Sequence, residues 1–245
     1  MASDNQVPQQ DRAALLTALA SAPIRRCQLL PWGSNYTYLL ELEGEGEHLR
    51  AIYKPGQGER PLWDFPAGTL YLREWAAYVT SQALGWDLVP PTVVRAGPQG
   101  PGSVQLYVEF VEPENYFTLR ERRLPDIWPL AVFDLVTNNA DRKGGHCLVD
   151  QQGHIWGIDH GLTFHALPKL RTVMWEFCGQ PIPRRLLEDV RQLLERLSVP
   201  GGLIEVLGEA LDRREAQALC RRMEELLRQP RFPLLDPRQV PWPLV

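Results

Sequence analysis

The chain has 245 residues, 44% of them hydrophobic and 23% charged, with a formal net charge of -4. That length suffices for one large domain or for two lobes sharing a cleft, and the composition excludes a disordered chain. The acidic balance, with arginines interleaved among Glu and Asp, excludes the basic field expected of a nucleic-acid binder.

No apolar run approaches the ~20 residues that cross a bilayer, and the opening MASDNQVPQQ has neither the basic nor the apolar region of a secretory leader. Cys27, Cys147, Cys178 and Cys220 lie far apart, with no C-x-x-C pair. Free thiols in a reducing compartment, and so a cytoplasmic location, are expected.

In chain order, residues 1–23 form a tip and a short amphipathic helix over 11–20. From Arg26 the pattern turns β-like: a first strand runs to Pro31, Gly33-Ser34-Asn35 makes a turn, and Tyr36 to Glu43 reads as a strand. After the reversal at Gly44-Glu45-Gly46, the returning strand His48 to Lys54 alternates. Leu49, Ala51 and Tyr53 share one face, and Arg50, Ile52 and Lys54 the other. A Gly/Pro-rich loop over 55–68 precedes a helix from Thr69 to Leu84, with Trp75, Tyr78, Val79 and Gln82-Ala83 as its stripe and Gly85 as its cap. Val93-Val94 and Val104 to Val111 read as further strands, with Gly100-Pro101-Gly102 as a loop between them.

Near Glu112-Pro113 the character changes. Asp126 to Asn138 reads as helix, and a hairpin follows, with Cys147 to Val149 and His154 to Ile158 joined by Asp150-Gln151-Gln152-Gly153. From Arg184 the apolar residues repeat at helical spacing, and a last helix opens at Asp212 with Glu215 completing a capping box. The expected fold is α+β in two lobes: a β-rich half over 24–112 with one helix, and a mostly helical half over 113–245 that carries the hairpin. A cleft between lobes is where ligands usually bind.

Two polar loops bracket that hairpin: Asn138-Asn139-Ala140-Asp141-Arg142-Lys143-Gly144-Gly145-His146 before it, and Ile158-Asp159-His160-Gly161 after it. A lone aspartate in such a loop ordinarily makes an Asx-turn or a cap. Two of them at the same edge of one hairpin allow one to bind a divalent metal while the other positions a nucleophile.

Asp-Arg, a hairpin, then Ile-Asp-x-Gly resembles the catalytic and metal loops of the protein-kinase-like superfamily, especially its phosphoinositide-kinase and HipA-like branches. The pieces GSNYT, AIYKPGQGERPLWDFP, REWAAY, NNADRKGGH, IDHG and PKLRTV together resemble a bacterial family described as phosphoinositide-3/4-kinase-related, over roughly residues 30–185. The resemblance implies an ATP-dependent phosphotransferase using Mg²⁺ or Mn²⁺. It implies Asp141 as catalytic base and Asp159 as metal ligand. Lys54 matches the phosphate-gripping lysine, and Glu74 on the following helix its partner. Gly33, Ser34 and Asn35 stand where a phosphate-covering loop belongs, although the same residues make an ordinary hairpin turn. Glu109 and Val111 stand at the adenine-reading hinge. Arg142 is placed with the catalytic group or as a brace of its loop, and Lys143 meets a transferred phosphoryl group or solvent.

The family pattern has Asn five residues after the catalytic Asp; this chain has His146, a candidate metal ligand or hairpin cap. That departure keeps open a nucleotidyltransferase that moves AMP and an ATP-binding pseudokinase. A metal hydrolase built on His146, Asp159, His160 and His165 is a third reading. Lys169 and Arg171 are either solvated or contacts for an acidic substrate. The partners expected are ATP and an unidentified phosphate acceptor, protein or small molecule rather than lipid. Pro241-Trp242-Pro243 is expected to dock on the chain's own helical half.

Overall fold

The computed structural model describes residues 9–31, 35–44, 49–236 and 240–244. Gly33, Ser34, residues 45–48 and the first eight residues, on which some of the expectations above fall, lie outside them.

Helix α1 (Gln9–Ser21) leads into a five-stranded antiparallel sheet of β1 (Ile24–Leu29), β2 (Tyr38–Leu42), β3 (Leu49–Pro55), β4 (Thr92–Gly97) and β5 (Gly100–Leu106), in spatial order β1-β2-β3-β5-β4. Helix α2 (Leu70–Leu84) sits between β3 and β4 in sequence. The alternation expected for β3 holds. Ala51 and Tyr53 are buried with Leu19, Leu40, Leu42 and Val104 in a small core between sheet and α1, which leaves Lys54 on the opposite face.

The strand expected over 104–111 is shifted. Gly100, Pro101 and Gly102 pair with Gly97, Ala96 and Arg95, so they are strand and not loop. A Cβ on Gly102 would stand 2.5 Å from the Lys54 carbonyl oxygen, so that register needs glycine where it passes the end of β3. Turn composition suggested a loop, and sheet pairing overrides it.

Helix α2 buries a different face from the stripe read in its sequence: of that stripe Tyr78 is buried, whereas Trp75, Val79, Gln82 and Ala83 are half-buried. Arg73, Glu74, Thr80 and Ser81 are buried along with Leu70, Ala76, Ala77, Tyr78 and Leu84. The helix lies against the sheet on one side and the helical half on the other, so polar side chains face inward. Gly85 caps it at φ 69°, the left-handed geometry that glycine takes without strain.

The helical half contains α3 (Tyr116–Arg123), α4 (Trp128–Thr137), the hairpin β6 (Cys147–Val149) and β7 (Ile155–Gly157), α5 (Arg184–Leu197), α6 (Leu203–Leu207) and α7 (Arg213–Arg228). Leu130, Ala131, Val132, Phe133 and Val136 are all at most 1% exposed, so α4 is buried on nearly every side. The large core runs from α2 through α4 and the hairpin to α5 and α7. Asp212 caps α7 by accepting from the Glu215 N–H while the Glu215 carboxylate accepts from the Asp212 N–H, the reciprocal box its sequence predicts. The chain is a two-lobed α+β fold whose sheet half and helical half meet along α2 and the hairpin.

Candidate active site

The site forms where β3, α2 and the loop after β7 converge. Pairing of Lys54 with Ser103 of β5 fixes the end of β3, and alternation aims Lys54 away from the small core. Its Nζ lies 2.8 Å from Asp159 Oδ1 and also ion-pairs with Glu74 Oε1. The second Glu74 oxygen accepts from the His160 N–H at 2.8 Å. Helix α2 is thereby tied to the Asp159 loop both directly and through the lysine. Asn35, Tyr36 and Tyr71 complete the cleft around these three charged groups.

Charge and burial act against each other here. Burial alone would lower the Lys54 pKa, but the Asp159 and Glu74 carboxylates outweigh it and hold the ammonium charged. The Lys54 ammonium holds the Asp159 carboxyl well below the usual carboxylate range, so it is ionised. Glu74 is pushed up by its burial, with Lys54 opposing. Asp159 adopts φ 59°, a left-handed conformation costly for a residue with a Cβ, and such strain concentrates at functional sites. Its side chain is 48% exposed, against 3% for Glu74, so of the two carboxylates Asp159 is the one open to the cleft.

The other loop starts where α4 ends. Asn138, at φ 56°, closes α4; its side-chain amide donates to the His165 and Leu167 carbonyls, and its Oδ1 accepts from the Lys169 N–H. Asn139 donates to Asp134 Oδ1 and accepts from the Asp141 N–H. These two asparagines bind the loop to the helix before it and to the segment after the metal-type loop. Asp141 follows, part-exposed, with Oδ2 2.9 Å from Lys143 Nζ. Burial pushes its carboxyl pKa up, Lys143 pulls it down, and the net shift is upward.

Of the two places expected for Arg142, the catalytic group is corrected and the brace is the one observed: the side chain is fully buried, with its guanidinium forked onto Asp134 at 2.8 and 2.9 Å. It also donates to the Ile158 carbonyl at 2.9 Å and to the His146 carbonyl at 3.2 Å, and lies 2.7 Å from His160 Nε2. No substrate reaches it; it locks the two loops to each other and to α4. His160 points into this knot, edge-on to Phe133, and burial keeps it neutral. His160 Nε2 faces Arg142, whereas His146 Nε2 faces Asp159 Oδ2 at 3.4 Å. The four groups of the hydrolase reading therefore do not converge, and no cluster of three or more metal-ligating side chains forms among the described residues.

His146 is pushed down to about 4 by burial, against the pull of Asp159, so it is a neutral imidazole at physiological pH. The His146 ring and Asp159 Oδ2 thus face each other at the mouth of the cleft, one nitrogen beside one carboxylate oxygen.

The hinge residues differ from each other. Glu109 is exposed and ion-pairs with Arg50 on β3. The Val111 N–H donates to the Val149 carbonyl at 2.8 Å, and the Val111 carbonyl accepts from the Glu114 N–H at 2.9 Å. The Val111 N–H is thus spent on structure, while its carbonyl keeps a second lone pair. Asn35 Oδ1 accepts from the Arg60 N–H at 2.8 Å, which ties the turn after β1 to the loop after β3. Lys169 pairs with Asp64 at 2.6 Å and lies 4.7 Å from the Trp63 ring centroid, whereas Arg171 is exposed and its backbone pairs with Asn139 and Arg142.

The sequence places Asp134 on the helix and Asn138 and Asn139 in the loop without assigning any of them a role. Asp134 did carry a signal, since it stands as the one charge within the apolar run Leu130–Val136, and a carboxylate so placed needs a buried cation.

A five-stranded antiparallel sheet with one helix, followed by a mostly helical half that carries a hairpin, makes this a protein-kinase-like fold. The comparisons agree. Hydra Fam20 with sugar superposes at TM-score 0.58 over 91% of this chain and 90% of that one, at 15% identity. The Golgi casein kinase with Mn/ADP bound gives TM-score 0.57 over 91% and 76%, at 16% identity. At such identities the likeness shows the fold alone. No family model matches the chain. In sequence it is 40% identical over 248 aligned positions to Protein Rv2133c of Mycobacterium tuberculosis, covering 86% of this chain and 88% of that one, and the chain belongs to that protein's family. It is also 29% identical over 158 positions to Phosphatidylinositol 4-kinase gamma 4 of rice, but spans only 25% of that protein's length.

Proposed function

We propose that the chain is an ATP-dependent phosphotransferase, with residues 24–112 cradling the nucleotide and 113–245 supplying the catalytic loops. The observation that carries this reading is the single ion-paired set Lys54–Glu74–Asp159, drawn from three separate elements and opening on one cleft. Phosphoryl transfer consists mostly of positioning and charge neutralisation, and this set performs both. Lys54, held by Glu74, grips the phosphates of ATP. Asp159, with the imidazole of His146 beside it, would hold the divalent metal, which when bound neutralises charge on the β- and γ-phosphates. The Asp141 carboxylate orients the acceptor hydroxyl and takes its proton as the acceptor oxygen bonds to the γ-phosphorus. The bond from that phosphorus to the β,γ-bridging oxygen breaks, and its electron pair leaves with ADP. The backbone around Asn35 lies at the same cleft and would cover the phosphates.

The four cysteines are unpaired, and among the described residues no helix is long and apolar enough to cross a membrane. Both facts suit a reducing compartment and an acceptor met away from a bilayer, protein or small molecule in preference to lipid.

The test is incubation with γ-labelled ATP and Mn²⁺, beside Asp141→Ala and Asp159→Ala. Label transfer or hydrolysis by the parent chain, lost in both variants, is expected; equal rates in all three contradict the reading. His146 in the place of the usual Asn supports a second reading, transfer of AMP. That reading requires label from α-labelled ATP, and not from γ-labelled ATP, to become attached to the acceptor.

A further inference from the structure

A second cavity, of about 320 Å³, lies where the loop after α2 meets the turn of the hairpin and the starts of α4 and α5. It shares no lining residue with the cleft at Lys54. Leu88, Ile155 and Leu186 are buried and give it an apolar floor. Hydrogen bonds fix its walls. Arg123 donates to the Gly153 carbonyl at 2.9 Å and to Asp126 at 2.8 Å, and the His154 ring donates through Nε2 to the Asp87 carbonyl at 2.8 Å. A cavity held open in this way takes a ligand without first having to be ordered.

Two charges at this cavity are left over. Trp86 Nε1 donates to Asp189 Oδ2 at 2.8 Å, and among the described residues no cation pairs with that half-buried carboxylate. Arg185 is exposed, and among the described residues its guanidinium has no partner. The two stand four residues apart on α5, where side chains share a face, yet they do not bond to each other. A carboxylate and a guanidinium set side by side in this way match a molecule whose own ammonium and carboxylate lie a few ångströms apart. A free α-amino acid has that head. Its ammonium donates to Asp189 beside the indole of Trp86, and its carboxylate takes the fork of Arg185. The volume leaves room for about ten non-hydrogen atoms, and the apolar floor calls for a large aliphatic or aromatic side chain. We infer that this cavity is a binding site for a free α-amino acid with a large apolar side chain. The site stands apart from the phosphotransferase reading, since none of its residues belongs to the cleft at Lys54.

The test is calorimetric titration of L-leucine, L-methionine and L-phenylalanine into the intact chain, each up to about 10 mM, with the thermal midpoint recorded alongside. At least one of the three is expected to bind saturably and to raise the midpoint. Its analogues that lack one pole, which for phenylalanine are phenethylamine and 3-phenylpropionate, should bind at least tenfold more weakly. Asp189→Asn keeps an oxygen for the Trp86 N–H, and Arg185→Gln changes an exposed side chain; each should weaken binding at least tenfold with little change in the midpoint of the free chain. Asp159→Asn, in the other cleft, should bind the amino acid as the parent does. No saturable binding of any of the three overturns the site. Analogues that bind as tightly as the amino acid, or undiminished binding in Asp189→Asn, overturn the pairing of its two poles. Loss of binding in Asp159→Asn would put the amino acid in the cleft at Lys54 and overturn the inference as well.

Discussion

Two sets of charged residues sit a few ångströms apart and behave in opposite ways. Lys54, Glu74 and Asp159 form an ion-paired set whose outer member is half exposed. Arg142 and Asp134 form one that is wholly buried, with neutral His160 beside it and every guanidinium nitrogen of Arg142 bonded. The residue types are alike, and solvent access separates them. A buried, saturated pair has no valence left for a ligand and acts by fixing backbone, here the two loops whose aspartates must face one cleft. An open set keeps a carboxylate edge free and can exchange partners. Arg73 is likewise buried where α2 meets α7, pairing with Glu215 and donating to the Thr163 carbonyl at 2.7 Å, although its Nε has no partner. Helix α2, which carries Glu74, is thereby bolted to the helical half as well as to the lysine.

Three outcomes break or sharpen this contrast. The largest effect is expected at the open set: Lys54→Met removes the cation from the phosphates and should lower phosphotransfer by roughly 10²–10³-fold, measured by label transfer at saturating ATP. At the buried set, Arg142→Ala strands the Asp134 carboxylate and should cost about 3–5 kcal/mol, read by denaturant unfolding. Replacing both partners by apolar residues of similar volume should recover much of that loss, and no recovery would mean that the pair does more than brace. The smallest effect is in the pH profile. On the proposed function Asp141 must be ionised to take a proton, and its pKa is raised in the folded chain. Transfer should therefore be full above that raised value and fall as pH drops through it, with the acid limb above the ordinary Asp value of about 3.9. In Lys143→Met, which loses the cation pulling that carboxyl down, the limb should move further up.

The contrast also explains what was legible in the sequence. That Lys54, Glu74 and Asp159 meet was readable because the resemblance rests on the order of elements, and strand alternation places Lys54 on the free face of β3. The Asp212–Glu215 box was readable because both partners lie within one turn. Arg73 and Glu215 are 142 residues apart, and no local pattern announces such a pair. For Arg142 the sequence left catalytic group and brace both open, since only its burial decides between them and that burial depends on the rest of the fold. Helix α3 escaped notice because only Tyr116 and Leu119 of its eight residues are buried, too few to set up a periodic stripe. Gly100-Pro101-Gly102 reads as a loop by composition, and only the partners in β4 make it strand.

The most direct test of the central claim is calorimetric titration of Mn²⁺-ATP into the parent chain, Asp159→Asn and Arg142→Ala, with the thermal midpoint of each recorded alongside. The account predicts that Asp159→Asn weakens binding at least tenfold while its midpoint stays close to the parent's, and that Arg142→Ala drops the midpoint by on the order of 10 °C. Unchanged affinity in Asp159→Asn, or a midpoint that falls as far as that of Arg142→Ala, would contradict it.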